Sequence, residues 1–254
     1  MKHYKHSKLA VALLTGGILL SQMAQAAVSL DRTRVVFDGE LKSITLNISN
    51  NNKQLPYLAQ GWIDNDKNEK ITSPLIVLPP VQRIEPGKAS QIKIEALPAI
   101  SALPQDKESL FYFNLREIPP KSDKPNTLQI ALQTRVKLFY RPKALKAGKN
   151  GAPWQEQLIL NKQGEHVMVK NPTPYYVTII NAAANDKSAG VKGKEFTPVM
   201  IAPFDDMPLG VNSTVLGNRP VLTYINDYGG RPALTFQCQG NQCQVVTDSQ
   251  SKKQ

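Results

Sequence analysis

The chain has 254 residues, with 31 Lys and Arg against 20 Asp and Glu, and a formal net charge of +11 at pH 7. A basic chain can bind nucleic acid, but no recognition motif accompanies the charge, so we expect it to serve solubility and expect no nucleic-acid partner. There are three histidines, and the sequence has no Gly-x-Ser-x-Gly elbow, phosphate loop or dinucleotide fingerprint. We therefore expect no catalytic residues, metal or cofactor, with a carboxylate-only hydrolase as the remaining enzymatic alternative.

The N-terminus has the order of a secretory signal. Three lysines within the first eight residues precede an apolar run at residues 9–20 and the small-residue pattern Ala24-Gln25-Ala26. The run is shorter than the roughly 20 residues that a membrane-spanning helix needs, so we predict cleavage after Ala26, with a retained anchor as the alternative. The remaining residues, 27–254, suit two domains of roughly 100 residues each, in an oxidising compartment.

Short strand-like runs separated by turn residues begin at Val28. Residues 43–48 and 90–94 alternate apolar and polar side chains, as half-buried strands do. Residues 55–63 and 110–118 are aromatic-rich, and no segment has a helical period. About seven strands are expected before residue 142, which predicts an all-β sandwich.

One predicted strand is unusually long. Between residues 128 and 140 every even position except 134 carries Leu, Ile, Val or Tyr, whereas most odd positions are polar or charged. The pattern predicts a single strand of roughly 14 residues, more than twice the usual length. An apolar stripe of this length favours an exposed sheet edge that waits for a partner strand, although coverage by its own domain is the alternative.

A polar stretch rich in Pro and Gly, residues 141–153, predicts a linker, after which strand-like runs resume up to residue 238. We therefore place the domain boundaries at 27–146 and 147–254. Near the C-terminus Cys238 and Cys243 flank a Gly-Asn turn, and in an oxidising compartment they should form a disulfide that closes a hairpin. A redox or metal role is the disfavoured alternative, because the spacing is not Cys-x-x-Cys.

Five blocks of the sequence resemble a known family. The blocks are residues 27–34, 111–120, 128–142, 171–176 and 224–230, the last containing Asn226-Asp227-Tyr228-Gly229-Gly230. In these blocks the chain is similar to the periplasmic pilus (fimbrial) assembly chaperones of the PapD type. The resemblance implies two immunoglobulin-like β-sandwich domains arranged as an L with an interdomain cleft.

The resemblance also implies a binding site. Arg34 and Lys137 match a cleft pair that anchors the C-terminal carboxylate of a pilus subunit, a role suited to an Arg fork and a Lys point charge. Leu128, Ile130 and Leu132 match the alternating residues of a donor strand, which completes a subunit that lacks its own last strand.

A second set of matches implies a brace between the domains, formed by Glu108, Arg141 and Asp227. The partners implied are pilus subunits, both pilins and the adhesin, and the outer-membrane usher, and the implied location is the periplasm. Whether the free chain covers its open edge by self-association is left open. The competing hypothesis is a secreted adhesin or ligand-binding sandwich, whose aromatic loops, such as Tyr175-Tyr176, would hold sugar or peptide.

Overall fold

The computed structural model describes residues 26–145, 152–184 and 196–246. The predicted signal segment lies outside these residues except for Ala26, and so does the predicted boundary between residues 146 and 147. Within the described ranges, no helix has the length and apolar character needed to cross a bilayer. The first unit contains the strands β1 Val28–Leu30, β2 Arg34–Asp38, β3 Ser43–Asn50, β4 Tyr57–Asp64, β5 Lys70–Ile71, β6 Leu75–Leu78, β7 Val81–Ile84, β8 Ala89–Ala96, β9 Ser109–Ile118 and β10 Gln133–Arg141.

These strands form two sheets packed face to face. One sheet has the order β1-β3-β8-β6, and the other has the order β2-β10-β9-β4-β5, with β7 also paired to β4. The predicted alternation explains the packing, because Leu46 and Ile48 of β3 and Ile92 and Ile94 of β8 are fully buried between the sheets. Ten strands form where about seven were expected, because Pro79-Pro80 and other turn residues divide the runs.

The prediction of one continuous strand over residues 128–141 is wrong for its first part. The paired strand is Gln133–Arg141, and residues 128–132 belong to no ladder. The last bond toward β9 runs from the N–H of Glu117 to the carbonyl of Leu132, at 3.0 Å. Two prolines follow β9 directly, and proline has no N–H with which to continue a ladder. The apolar alternation of residues 128–132 therefore lies on a segment that is not part of a paired strand.

The second unit is a further sandwich around its own apolar core. Its strands follow one path, β14-β13-β16-β17-β18-β11-β12-β15, which folds over a core that includes Leu160, Ile179, Leu222 and Phe236. The strand β15 was not predicted, because Pro208 and Gly210 interrupt its pattern. The elements are β11 Ile159–Gln163, β12 His166–Lys170, β13 Val177–Ala183, β14 Val199–Ile201, β15 Asp206–Asn212, α1 Ser213–Leu216, β16 Val221–Tyr224, β17 Ala233–Gln239 and β18 Gln242–Val245.

The two cysteines form the predicted disulfide. Cys238 of β17 and Cys243 of β18 face each other in antiparallel register, and their sulfur atoms are bonded. Gly240 lies in the turn between the two strands with a φ of 60°, a conformation that glycine adopts without a Cβ clash. The bond therefore closes a hairpin at the C-terminal end of the described chain.

Candidate functional site

Arg34 and Lys137 lie side by side where the first unit meets the second. Arg34 is the first residue of β2, and Lys137 is its partner in the parallel register between β2 and β10. Residues paired in register project from the same face of a sheet, so the two cationic side chains point into the same space. The structure thus brings the two predicted anchor residues together, although only 8% of Arg34 is exposed.

The Arg34 guanidinium is held by the second unit. Its Nη1 donates a hydrogen bond to the carbonyl oxygen of Ile225 at 3.0 Å, and the group lies 5.4 Å from the centre of the Phe139 ring. Burial lowers the pKa of Arg34, while the negative charges of Asp227 and Glu108 oppose that shift. A guanidinium is charged at all physiological pH values, so Arg34 is a fixed cation.

The Lys137 ammonium is held in the same way. Its Nζ donates to the hydroxyl oxygen of Thr178 at 3.2 Å. Burial, followed by the nearby charge of Arg34, lowers the pKa of Lys137 to about 8. Two partly desolvated cations side by side are stabilised by an anion that hydrogen-bonds to both, and a carboxylate has the geometry to do so.

A cleft of about 430 Å³ opens beside Arg34. Tyr228, on one wall, is 97% exposed although its loop is well ordered by hydrogen bonds. In that loop the side-chain carbonyl of Asn226 accepts from the backbone N–H groups of Tyr228 and Gly230, at 3.1 and 2.8 Å. Both units therefore contribute to the walls of the cleft. Its lining residues are Asp31, Arg32, Thr33, Arg34, Val36, Asp227 and Tyr228.

An apolar ridge leads away from the cleft along the chain segment before β10. Leu128, Ile130 and Leu132 are 85%, 64% and 41% exposed. They continue the even-numbered apolar pattern of Val136, Leu138 and Tyr140 in β10, which are buried, into a segment that belongs to no strand. Three large apolar side chains in a row without cover mark an interaction surface.

The third predicted set forms ion pairs between the units. The Nε of Arg141 donates to Glu108 at 2.8 Å, and its two terminal nitrogens donate to both carboxylate oxygens of Asp227 at 2.8 and 3.1 Å. The second oxygen of Glu108 accepts from the backbone N–H of Tyr176, also at 2.8 Å. Burial acts to lower the pKa of Arg141, but the hydrogen bonds and charges of Asp227 and Glu108 outweigh it and raise that pKa further above its usual value.

Aromatic rings enclose the Arg141 guanidinium. It lies 4.9 Å from the Trp154 ring centre and 5.1 Å from that of Tyr175, and the two rings stack at 4.4 Å. Such stacking covers much of the guanidinium, leaving the Arg141 side chain 13% exposed, and adds cation–π attraction. Tyr175, which the competing hypothesis assigned to ligand binding, is thus occupied by the interface between the units.

The groups of the second unit that accept hydrogen bonds from Arg34 and Lys137 were not predicted from the sequence. Thr178 has no motif of its own, and Ile225 takes part through its backbone oxygen, which any residue could supply. The signal in the sequence that pointed to these two residues was their position relative to the blocks of resemblance. Ile225 lies inside the block 224–230, and Thr178 lies just outside the block 171–176. Among the residues that the structure describes, no group of three or more His, Cys, Asp or Glu side chains is arranged to hold a metal ion.

Two sandwich units, a cationic cleft between them and an apolar ridge beside it define a class of protein that holds an extended segment of another chain. Comparisons agree with this class. Residues 27–146 match the family model described as pili and flagellar-assembly chaperone, PapD N-terminal domain, and residues 153–236 match that of the pili assembly chaperone PapD C-terminal domain. The chain belongs to the PapD family of pilus-assembly chaperones, which is not a family of enzymes.

Individual relatives cover nearly the full length of the chain. Chaperone protein PapD of Escherichia coli is 58% identical over 223 residues, covering 87% of this chain and 91% of the relative. The probable fimbrial chaperone YfcS of E. coli K12 is 51% identical, covering 98% and 96%. A solved Salmonella enterica structure, the SafA pilin in complex with the SafB chaperone, matches with a TM-score of 0.68 and 25% identity, covering 85% and 98%. The fold is therefore the all-β, two-domain, immunoglobulin-like fold of these chaperones.

Proposed function

We propose that this chain is a periplasmic chaperone that binds pilus subunits, completes their fold with its own edge segment, anchors their C-terminal carboxylate, and delivers them to the outer-membrane usher. The observation that carries the proposal is the arrangement of the ridge formed by Leu128, Ile130 and Leu132, which runs in line with β10 toward Arg34 and Lys137. The relatives named above, fimbrial chaperones and a chaperone bound to a pilin, support it.

The direction of the bound strand follows from the register of β2. This strand pairs with β10 from Lys137 onward, in parallel, and begins at Arg34. A guest strand that occupies the same edge of β10 before Lys137 lies in line with β2. To place its terminal carboxylate beside both cations, the guest must run parallel to β10 with its C-terminus toward Arg34. At about 3.3 Å per residue, the edge from Leu128 to Lys137 accommodates a guest of about ten residues, roughly 30 Å long.

The ridge and the cations act together to fix register. Burying each of the three apolar side chains contributes roughly 1.5–3 kcal/mol before association costs are subtracted. Because strand side chains alternate, a shift of one residue turns the guest's apolar row away from the ridge. The carboxylate anchor therefore selects the one alignment in which ridge, backbone pairing and cations are all used.

The network formed by Glu108, Arg141 and Asp227 braces the two domains in this proposal, so that the cleft has a fixed width. Glu108 is 3% exposed, and its charge is compensated by Arg141 and by the Tyr176 N–H. A buried charge without such partners is strongly destabilising, so the brace holds only when the domains meet at this angle.

The cellular setting is part of the same proposal. Residues 1–26 act as a signal that is removed on export, residues 27–146 and 147–254 form the two domains, and the mature chain works in the periplasm by binding rather than by catalysis. The disulfide between Cys238 and Cys243 is consistent with an oxidising compartment.

The direct test is co-expression of the chain with a pilus subunit that lacks its last strand, followed by affinity purification from the periplasm. The expected result is a one-to-one complex and protection of the subunit from aggregation, together with loss of the complex when the subunit's C-terminus is extended by added residues. Binding to a glycan panel without recovery of any subunit would contradict the proposal and favour the adhesin hypothesis.

A further inference from the structure

The two anchor cations both rest on the second domain. The Lys137 ammonium donates to the Thr178 hydroxyl, and the Arg34 guanidinium donates to the Ile225 carbonyl. Thr178 lies on β13 and is 4% exposed, so its hydroxyl sits at a protected position in the interface between the domains. The cations therefore belong to the first domain by sequence but are oriented by the second.

The two acceptors are themselves joined. The backbone N–H of Ile225 donates to the backbone carbonyl of Thr178 at 3.0 Å, next to the pairing of Ile179 with Tyr224 between β13 and β16. Thr178 lies within β13 and Ile225 is the residue directly after β16, so this bond adds one step beyond the end of the β13–β16 pairing. It presents a hydroxyl oxygen to Lys137 and a carbonyl oxygen to Arg34, and joins both acceptors to the end of a sheet.

The hydrogen-bond capacity of each group leaves room for a ligand. An ammonium has three N–H donors and the bond to Thr178 uses one of them, while a guanidinium has five and the bond to Ile225 uses one. The hydroxyl accepts from Lys137 without carrying a charge, so it orients the ammonium but does not neutralise it. A carboxylate in place of the Thr178 hydroxyl would have neutralised the positive charge of Lys137, on which the anchor depends.

We propose that Thr178 is a positioning residue of the carboxylate anchor, which holds the Lys137 ammonium beside Arg34 through its hydroxyl and thereby makes the second domain a working part of subunit capture. This inference rests on the proposed function and deepens it. A residue that only fills the interface would require the shape of threonine, whereas a positioning residue requires its hydroxyl.

Two substitutions separate these requirements. Thr178→Val keeps the shape and removes the hydroxyl, and Thr178→Ser keeps the hydroxyl and removes one methyl group. Hydrogen bonds to charged groups are worth more than neutral ones, so the valine variant should bind the C-terminal strand peptide of the cognate subunit about tenfold more weakly. The serine variant should bind within about twofold of the wild type.

A matched peptide isolates the anchor. The same peptide with an amidated C-terminus presents no carboxylate, so wild type and Thr178→Val should bind it equally. Equal loss of affinity for the free and amidated peptides would assign Thr178 to the interface packing and overturn the inference, as would a valine variant that binds the free peptide like the wild type.

A second readout needs no subunit. Titration of Lys137 in the free protein, followed by NMR of labelled lysine side chains, should show its pKa about one unit lower in Thr178→Val than in the wild type, and close to wild type in Thr178→Ser. The groups that flank Lys137 across its strands, Arg34 on β2 and Tyr112 on β9, are the same in all three proteins. An unchanged pKa in the valine variant overturns the inference, whereas failure of the wild type to bind any subunit overturns the proposed function instead.

Discussion

Arg34 and Lys137 occupy the same rung of the parallel pairing between β2 and β10, so two positive charges that are 103 positions apart in the chain share one face of one sheet. Among the residues that the structure describes, neither has a carboxylate as its hydrogen-bond partner: the Arg34 bond goes to a backbone carbonyl and the Lys137 bond goes to a hydroxyl. Two like charges held together in a partly buried cleft raise the free energy of the empty site. An anion that enters the cleft relieves this repulsion and lowers the free energy. This relationship is the basis of the first two predictions.

Replacing either cation should abolish capture without unfolding the protein. Arg34→Ala or Lys137→Ala should weaken subunit binding by about 2–5 kcal/mol, because the guest carboxylate remains buried with only one of its two partners. Titration calorimetry with the subunit's C-terminal peptide measures the loss, and circular dichroism checks the fold. Arg32→Ala is the matched control, because Arg32 lines the same cleft but is already paired with Asp31 at 2.8 Å. Similar losses in all three variants would speak against a specific anchor.

Subunit affinity should fall as the pH rises above about 8. The pKa of Lys137 is about 8 in the free protein, and a bound carboxylate raises it, so the complex holds a proton that the free protein loses above that pH. Affinity should be constant below pH 7 and drop by up to about tenfold per pH unit above 8. The Lys137→Arg variant keeps the positive charge at this position over the whole range. Its affinity for the subunit, whether high or low, should therefore not change between pH 7 and 9. Equal pH dependence in both proteins would rule out Lys137 as its source.

The lowered pKa of Lys137 has the opposite effect on the stability of the free protein, to which Lys137 should contribute more as the pH rises. The pKa of Lys137 in the folded protein lies below the 10.5 of an unperturbed lysine, so the unfolded chain binds more protons between pH 8 and 10.5. The contribution of Lys137 to the free energy of unfolding should therefore rise with pH across that window. Urea unfolding of the wild type and of Lys137→Gln at both ends of the window measures it as a difference between the two proteins.

A charge in the ridge should block capture and leave the free protein intact. Ile130 is 64% exposed, so Ile130→Asp should change the melting temperature little but should abolish the subunit complex, because the carboxylate would enter an apolar groove. Ala131→Asp is the control, since residue 131 is also exposed, lies in the same segment and has no large apolar side chain. A large drop in the melting temperature of Ile130→Asp would place that side chain in the protein's own core.

Breaking the brace should destabilise the protein through its interface. Arg141→Ala leaves Glu108, which is 3% exposed, without its cation, and should lower the free energy of unfolding by about 3–5 kcal/mol. Lys143→Ala, two positions along, removes a solvent-exposed pair to Glu40 with a 3.9 Å separation, and should cost little. Urea unfolding followed by tryptophan fluorescence compares them, because Trp154 stacks on Arg141. Equal stability of the two variants would refute a bracing role for Arg141.

Local patterns in the sequence determined much of the fold. Alternation at residues 43–48 and 90–94 predicted β3 and β8, because a strand with one buried face needs an apolar residue at every second position. The Gly-Asn turn between Cys238 and Cys243 predicted the disulfide hairpin, since a closed loop this short needs no information from the rest of the chain. The site residues were predicted only through resemblance, because isolated Arg and Lys side chains carry no local signature.

Only the tertiary structure decided which groups meet. The alternation of residues 128–140 predicts one strand, yet a strand exists only where a neighbour supplies hydrogen bonds, and beyond the bond from Glu117 to Leu132 no described strand pairs with residues 128–132. The acceptors Thr178 and Ile225 belong to one domain, and the cations that they contact belong to the other. Ile225 and its partner Arg34 are 191 positions apart in the sequence. Such contacts depend on how two folded domains dock, which composition and periodicity do not encode, since both describe only neighbours along the chain.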